Sequence, residues 1–206
     1  MKIEIKNRFT GAVIFAYEKE NNTIKDTVEE AIRLNVSLEF ADLRNCDLRN
    51  CDFRNCDLKN CNLENADLRN CDFRNAYLKN CDLKNADFRN CDFRNANLES
   101  ADLTDFKEDF FKILSKAPKE IGGLKKALKD GNINGSTYEG DCCCLVGTIA
   151  NVRGCYYANL EGIIPKSSRP AERWFLGINK GNTPKNSKIS KITFDWINEY
   201  ETLIIK

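Results

Sequence analysis

The chain has 206 residues, a formal net charge of +1 and no histidine. Charged residues make up 31% of it, and no apolar run approaches the eighteen residues of a membrane-spanning helix. The lack of histidine excludes Cys–His and Ser–His catalysis, histidine-ligated metals and histidine pH switches. The N-terminus shows no basic segment followed by an apolar one, so we expect a cytoplasmic protein whose eleven cysteines are thiols.

Charge is unevenly distributed along the chain. Residues 36–105 carry fourteen acids and ten bases, a net charge of −4, and residues 106–206 carry eleven acids and sixteen bases, a net charge of +5. Neither value is typical of a nucleic-acid-binding segment or an acidic tail.

Residues 1–35 are predicted to form two strands and a helix. The segments MKIEIKN and AVIFAYE read as strands joined by a turn at Gly11. Asn22, Thr23 and Asp26 offer helix starts, followed by apolar residues at helical spacing. Because a stack of repeats exposes unpaired edges, we expect this segment to cap the repeat that follows it.

Residues 36–105 divide into fourteen consecutive pentads. The third residue is Leu or Phe in every pentad, the first is Ala, Cys or once Val, and the fifth is Asn in eleven of the fourteen. Within a pentad, two inward residues alternate with polar ones as in a strand, and the fifth residue breaks the alternation. Asn tolerates turn conformations, so the chain is predicted to turn there, and four such turns close a square.

Four pentads per lap predict a second period of twenty residues. Phe53, Phe73 and Phe93 are twenty apart, and Cys51, Cys71 and Cys91 share that spacing. Both columns therefore lie on one wall, the Phe53 wall. Phe88 is expected above Leu68 and Leu48 on the neighbouring Leu48 wall. At about 4.8 Å per lap, the fourteen pentads would form a rod about 17 Å long.

These repeats resemble the pentapeptide-repeat family, whose fold is a right-handed quadrilateral β-helix. The resemblance implies a mainly β protein, with an N-terminal cap at residues 1–35, a β-helix at 36–105 and a C-terminal capping helix at 106–117 around Phe106, Phe110, Phe111 and Leu114. The repeat cysteines fill the small inward position that Ala fills elsewhere, so we interpret them as buried packing residues.

Some pentapeptide-repeat proteins bind DNA gyrase by imitating DNA with acidic faces, which raises a second hypothesis. The Leu48 and Phe53 walls instead pair rows of Asp with rows of Arg, so each wall sums to zero, whereas a phosphate mimic needs a field of one sign. The arginine rows are our candidate interaction faces: Arg49, Arg69 and Arg89 on the Leu48 wall, and Arg54, Arg74 and Arg94 on the Phe53 wall.

Residues 118–206 are predicted to form a small α/β domain. KEIGGLKKALKDG reads as a basic helix, NINGSTYEGD contains an Asn-Gly turn, and CCCLVGTIANV reads as a buried strand. SSRPAERWFLGI reads as a helix with a Ser cap, and an amphipathic helix closes the chain. The segment also resembles a module found beside pentapeptide repeats in phage and prophage proteins, a resemblance that supplies no function.

This C-terminal segment offers two candidate sites. Cys142, Cys143, Cys144 and Cys155 suggest zinc, but no C-x2-C pair exists and successive strand residues point apart, so we expect no metal. Arg169 and Arg173 lie one turn apart at a helix start and, with Glu172 and Trp174, form a candidate site for a phosphate or carboxylate. The alternative is a structural Arg-Glu-Arg network.

The leading interpretation is a non-enzymatic, phage-related protein that presents rigid β-helix faces to a host protein, in an anti-defence or host-modulating role. No cofactor, nucleic acid or membrane is expected as a partner, and a homodimer stays open. The alternatives are a gyrase or topoisomerase modulator, and an enzyme or small-ligand binder that uses Arg169 and Arg173.

Overall fold

The structure is a computed structural model that describes residues 1–137, 139–141, 143–166 and 169–204. The chain forms two compact units, Met1–Thr104 and Asp105–Lys206. The first contains an N-terminal hairpin, one helix and nearly all of the repeat, and the second is built mainly from helices.

The N-terminal hairpin and helix form as the sequence predicts. Strands β1 (Lys2–Lys6) and β2 (Val13–Glu18) pair antiparallel, and helix α1 spans Ile24–Arg33. Thr23 caps α1: its side chain accepts from the Asp26 amide while Asp26 reaches back to the Thr23 amide. This reciprocal capping box satisfies two backbone donors that the first helical turn leaves open. The hairpin joins the repeat through an antiparallel bridge between Asn7 and Ala41.

The backbone of each repeat is hydrogen-bonded within the stack, as the pentad Cys71–Asn75 illustrates. The second, third and fifth amides donate to carbonyls in neighbouring laps, the first closes a turn, and the fourth donates to the side chain of its own pentad's Asp. The pairs are Cys71 N to Leu68 O at 3.2 Å, Asp72 N to Cys51 O at 3.2 Å, Phe73 N to Asp92 O at 2.8 Å, Arg74 N to Asp72 Oδ1 at 3.0 Å and Asn75 N to Arg94 O at 3.0 Å. All five amide donors of this pentad are thus satisfied, as buried backbone requires.

Asparagine forms eleven of the corners of the repeat. All eleven corner asparagines have left-handed backbone, with φ between 53° and 61°. Their side chains also form ladders along the stack: the Asn90 amide donates to Asn70 Oδ1 at 3.0 Å, and the Asn70 amide donates to Asn50 Oδ1 at 3.1 Å. Asn therefore combines tolerance of the left-handed region with a hydrogen bond to the next lap.

The interior confirms the twenty-residue period. Parallel bridges join Asp47 to Asp67 and Asp67 to Asp87, and equivalent bridges follow on every wall. Phe53 and Phe73 stack with ring centroids 4.8 Å apart, and Phe73 and Phe93 with centroids 4.9 Å apart. These rings are at most 4% exposed. The prediction that the phenylalanines form one inward column is therefore correct.

The expected mainly β composition needs correction. Among the described residues, the strands longer than one bridged residue are β1 and β2, which form a single two-stranded sheet. The repeat pairs its laps through isolated one-residue bridges because a corner follows every five residues and leaves no room for a longer ladder. The described part of the second unit consists mainly of helices and has one isolated bridge, between Ile133 and Cys143. It is therefore not the predicted α/β domain.

The second unit contains five α-helices in its described residues. They are α2 (Thr104–Leu114), α3 (Ile121–Asp130), α4 (Leu145–Arg153), α5 (Pro170–Phe175) and α6 (Lys188–Ile204), and a short 3₁₀ helix spans Tyr157–Asn159. Helix α2 starts at Thr104, the fourth residue of the last pentad, and its other residues belong to the second unit, so its capping role stays a prediction. None of the helices among the described residues is both long and apolar enough to cross a bilayer.

The predicted strand CCCLVGTIANV is wrong, because Leu145–Arg153 forms helix α4. Six consecutive residues of this helix are buried, and a run that is apolar on all sides does not distinguish a buried strand from a buried helix. Gly154, with φ of 73°, ends the helix in the left-handed conformation that glycine adopts freely. The predicted Ser cap of α5 falls on Ser167 and Ser168, outside the described residues, and the residue at the N-cap is Arg169.

Replacing one corner asparagine separates its two contributions. We expect Asn70→Ala to lower the free energy of unfolding by about 1–2 kcal/mol, because alanine strains the left-handed corner and removes the ladder bonds. Asn70→Gly removes the same bonds but keeps the backbone relaxed, so its loss is smaller. Urea unfolding followed by circular dichroism measures both, and equal losses would show that backbone conformation contributes nothing.

Candidate interaction faces and ligand site

The Phe53 and Leu48 walls carry continuous ladders of paired Asp and Arg. Arg74 forms a fork with Asp72, its Nη2 atom 2.6 Å from Oδ2, and its Nε atom lies 3.7 Å from Asp92 in the next lap. Arg49 and Arg69 repeat this arrangement with Asp47, Asp67 and Asp87 on the Leu48 wall. Arg54 pairs likewise with Asp52 and Asp72, while Arg89 and Arg94 fork onto Asp87 and Asp92.

Each aspartate carboxylate of these ladders binds the arginine side chain and also accepts a hydrogen bond from the backbone amide of the same arginine. In the first such repeat, the side-chain hydrogen bonds from Arg49 and then its backbone amide lower the pKa of Asp47 to about 2, against an opposing effect of burial. The six arginines thus have their guanidinium groups turned onto carboxylates of their own walls. The two walls present alternating charge with no net sign, as the sequence predicts, and this is unlike a duplex of phosphates.

The Tyr77 wall, formed by the pentads that begin at residues 36, 56, 76 and 96, departs from this pattern. Tyr77 replaces the usual Asp and is 53% exposed, while its backbone stays in the ladder through Tyr77 N to Cys56 O at 2.9 Å. Lys79 pairs instead with Glu99 at 2.8 Å, and Lys59 pairs with Asp57 at 3.3 Å. Our sequence reasoning missed Tyr77, although its break with the pentad pattern was a visible signal.

A second departure lies at a corner of the same wall. Phe40 takes the asparagine position with φ of 62°, a conformation uncommon for a bulky residue. Phe9, from the hairpin turn, is 72% exposed and packs edge-on against Phe40 with centroids 6.0 Å apart. Arg8 fixes the turn by donating to the carbonyls of Asn60 and Cys61.

The repeat cysteines are mostly buried and their thiols bond within the stack. Cys71 Sγ donates to Leu48 O at 3.0 Å and Cys91 Sγ donates to Leu68 O at 2.9 Å. Burial raises the pKa of Cys56 to about 12 and that of Cys46 to about 11. Because the thiolate is the reactive form, these environments suit packing rather than redox or metal chemistry.

The predicted anion site at the start of α5 contains an anion from the chain itself. Arg169 forks onto Asp109 of α2, with Nε to Oδ2 at 3.0 Å and Nη2 to Oδ1 at 2.8 Å. The Ala171 amide, at the helix start, donates to the same carboxylate at 3.0 Å. Burial alone would raise the pKa of Asp109, but these hydrogen bonds and the nearby charge of Arg169 outweigh it and hold the pKa below its ordinary value.

The other predicted members of this site also serve internal contacts. Glu172 is 3% exposed and accepts the Lys166 amide at 2.8 Å. Trp174 is 1% exposed, donates its indole N–H to Thr193 Oγ1 at 2.8 Å and packs on Trp196. Arg173, on the last turn of α5, also makes contacts within the structure. A ligand that used Arg169 would therefore have to displace Asp109.

The cysteines of the second unit are not gathered as metal ligands in the described residues. Cys143 donates to Gly140 O at 2.7 Å and accepts from the Asn151 side chain, while Cys144 lies at the N-cap of α4, where burial raises its pKa to about 12. Cys155 is half-buried beyond the end of α4. Cys142 lies outside the described residues, and among the others no group of three metal-ligating side chains occurs.

Comparison with known proteins agrees with the repeat geometry. Residues 37–75 and 71–107 match the family model for pentapeptide repeats, in eight copies. A pentapeptide repeat protein from the Arabidopsis thaliana thylakoid lumen is 32% identical over 32% of this chain and 43% of its own, with a TM-score of 0.30. The protein Rfr23 from the cyanobacterium Cyanothece is 30% identical over 32% of this chain and 46% of its own, with a TM-score of 0.32.

A third solved structure is HetL, a pentapeptide repeat protein involved in heterocyst differentiation regulation in the cyanobacterium Nostoc. It is 25% identical over 34% of this chain and 35% of its own, with a TM-score of 0.22. Each match spans less than half of the relative's length. A search of curated proteins gave no significant match. Residues 37–107 are thus a pentapeptide-repeat segment, and it occupies about a third of the chain.

Thiol chemistry tests the packing role of the repeat cysteines. We expect Cys51, Cys56, Cys61 and Cys91 to resist alkylation by iodoacetamide in the folded protein at pH 8, because burial raises the pKa of each thiol and excludes the reagent. All should react after denaturation in guanidinium chloride. Fragmentation of the intact protein in the mass spectrometer locates the label, because trypsin releases the same peptide, NCDFR, around Cys51, Cys71 and Cys91. Rapid native labelling of these four residues would contradict the packing role.

The pair Asp109–Arg169 should make the second unit sensitive to acid. Its carboxyl has a lowered pKa in the folded state, so the stabilisation is present above the unfolded pKa of about 3.9 and is lost as pH falls through the folded value. Asp109→Asn should lower the free energy of unfolding at pH 7 by about 1–3 kcal/mol and flatten this acid dependence.

Tryptophan fluorescence reports on this unit, because Trp174 and Trp196 both lie in it. Asp195→Asn is the matched control: Asp195 pairs with Lys191 on α6, and both side chains are about half exposed. We expect that variant to stay within about 0.5 kcal/mol of the wild type. Equal losses of unfolding free energy in the two variants would show that the Asp109 contact stabilises the unit no more than an exposed ion pair does.

Proposed function

We propose that the protein is a non-enzymatic protein-binding protein whose repeat is a right-handed quadrilateral β-helix that presents rigid faces to a partner. The observation that carries this proposal is the internal bonding of the pentads. Backbone amides, corner side chains and the Asp–Arg pairs are all bonded within the stack, so the outward side chains stand on a fixed backbone. A pre-organised surface loses little conformational entropy when a partner binds.

The geometry of the candidate chemical groups supports a non-enzymatic role. Arg169 is bonded to Asp109, Trp174 is in the core, and burial raises the pKa of Cys144 to about 12. A catalytic thiol needs a lowered pKa or an adjacent base, and the chain contains no histidine to act as one. These groups therefore serve the structure of the second unit in our proposal.

The proposed setting is the cytoplasm of a host cell. The ten cysteines among the described residues are free thiols, which suits a reducing compartment. The resemblance of residues 119–200 to a module beside phage pentapeptide repeats suggests a phage origin and a host-modulating role. Gyrase or topoisomerase modulation is less well supported, since the Phe53 and Leu48 walls pair every arginine with an aspartate.

Affinity capture tests the proposed partner binding and the arginine walls together. Tagged full-length protein at micromolar concentration should retain a host protein that excess untagged protein displaces. Two triple variants then examine the walls: Arg54, Arg74 and Arg94 changed to Lys, and Arg49, Arg69 and Arg89 changed to Lys. Lysine keeps the charge but loses the guanidinium fork, so the variant of the wall that the partner contacts should bind at least tenfold more weakly.

Each result has a defined reading. The absence of a displaceable partner in host lysate would count against the protein-binding function. Binding by both triple variants that equals wild-type binding would exclude the arginine rows as the contact face. A supercoiling assay with purified gyrase runs in parallel, with the same variants. Inhibition or protection at stoichiometric protein would favour the gyrase hypothesis over the general one.

A further inference from the structure

The four walls of the repeat differ in how much positional information they offer. On the Phe53 and Leu48 walls the outward residues Asp, Arg and Asn recur in all three laps. A bound partner that slides by one lap, about 4.8 Å, would meet the same groups again, so these walls define no unique register. The Tyr77 wall and the fourth wall, which begins at residue 41, do not repeat, because their laps carry different pairs of outward residues. The hairpin already contacts the fourth wall through Asn7 and Arg8, which leaves the Tyr77 wall as the candidate.

The pairs on the Tyr77 wall have complementary chemistry. The second and fourth residues of successive pentads are Ser37 and Glu39, Asp57 and Lys59, Tyr77 and Lys79, and Asn97 and Glu99. They combine a hydroxyl with a carboxylate, a carboxylate with an ammonium, an aromatic ring with an ammonium, and an amide with a carboxylate. Each combination is an attractive one. Consecutive laps are bridged in register, so the second residues form one column and the fourth residues another.

Symmetry determines how two copies of the protein can place these columns against each other. A twofold axis parallel to the stack, running between the columns, sets the second residue of each pentad opposite the fourth residue of the same pentad in the other copy. All four combinations then form twice. A twofold axis across the stack instead reverses the column Glu39, Lys59, Lys79, Glu99, whose charges read the same from both ends, and so sets like charges opposite each other.

We propose that the Tyr77 wall binds a second copy of this chain side by side and parallel, with Tyr77 of each copy against Lys79 of the other. Tyr77 supplies the anchor: it is 53% exposed on a rigid backbone, and a tyrosine ring adds contact area at little entropic cost. Two ion pairs balance most of the charge around it, Lys79 with Glu99 and Lys59 with Asp57, which leaves each wall a net charge of −1 from Glu39.

The departures from the repeat are consistent with selection for a contact rather than for stability. In other pentads the second side chain accepts the amide of the fourth residue, as Asp67 does for Arg69 at 3.3 Å, but the Tyr77 side chain offers no such acceptor to Lys79. Phe40 holds a left-handed corner that asparagine fills more easily. Residues that break a local rule are expected at functional or strained sites.

The wall also sets the strength of the dimer. The four pentads of this wall are separated by three spacings, about 14 Å in all, so each copy buries much less than the roughly 800 Å² per partner of a standard interface. The exposed ring of Phe9, packed on Phe40 at one corner of the wall, adds apolar area at the edge. We therefore expect a reversible dimer with a dissociation constant between about 10 μM and about 1 mM.

Sedimentation equilibrium of the full chain over that concentration range measures the dimer directly. Tyr77→Asn removes the ring and introduces the side chain that Asn62 and Asn97 have in their pentads, where it accepts the amide of the fourth residue. It adds no charge opposite Lys79, so the variant should fold at least as well as the wild type and dimerise at least tenfold more weakly. Asp57→Lys should also weaken the dimer, because it sets a second ammonium group against Lys59 of the other copy. The double variant Asp57→Lys with Lys59→Asp exchanges the two charges and should restore the wild-type dissociation constant.

Arg69→Lys, on the Leu48 wall, is the matched control and should leave the dimer unchanged. A wild-type protein that stays monomeric at about 1 mM overturns the inference, as does a dimer that Tyr77→Asn leaves intact. Failure of the charge exchange to rescue Asp57→Lys overturns the parallel arrangement. The proposed binding to a host protein does not depend on this dimer, so capture from lysate by the monomeric Tyr77→Asn variant would separate the two proposals.

Discussion

The left-handed corner after every fifth residue is the constraint on which the repeat depends. An L-residue with a Cβ atom rarely adopts this conformation, and asparagine does so more readily than most. Eleven asparagines with φ between 53° and 61° place the chain in a turn at fixed intervals, so that the third residue of each pentad always points inward. The stacked rings of Phe53, Phe73 and Phe93 follow from this geometry, since inward side chains twenty residues apart lie one above the other on the same wall.

The same constraint explains why most of the charged side chains in the repeat serve to stabilise the fold. A pentad that turns at its fifth residue leaves the amide of its fourth residue without a partner in the next lap, and the carboxylate of the second residue accepts it. That carboxylate also orients the arginine fork. The charged residues of the Phe53 and Leu48 walls are therefore explained by folding, and recognition is better sought where the pattern is broken, as at Tyr77 and Phe40.

The second unit illustrates how an apparent ligand site is used internally. A helix start, an arginine and an adjacent tryptophan suggest an anion, and the anion is the carboxylate of Asp109 from α2. The contact ties two segments that lie sixty residues apart in sequence, and it satisfies an amide at the start of α5. The chemistry that the sequence suggests at Arg169 is thus present, but the partner is the chain's own side chain.

The sequence alone determined the period of the repeat, the inward columns and the neutral walls, because each depends on contacts between residues at a fixed separation. It also included Thr23 among the possible starts of α1 and ended the basic helix at Gly131, and the structure places the N-cap of α1 and the C-cap of α3 at these residues. Only the tertiary structure decided that Leu145–Arg153 is a helix, since burial on all sides erases the periodicity that would distinguish it from a strand. The tertiary structure also decided the partner of Arg169, because the identity of a long-range contact depends on how distant segments pack and leaves no local pattern at either residue.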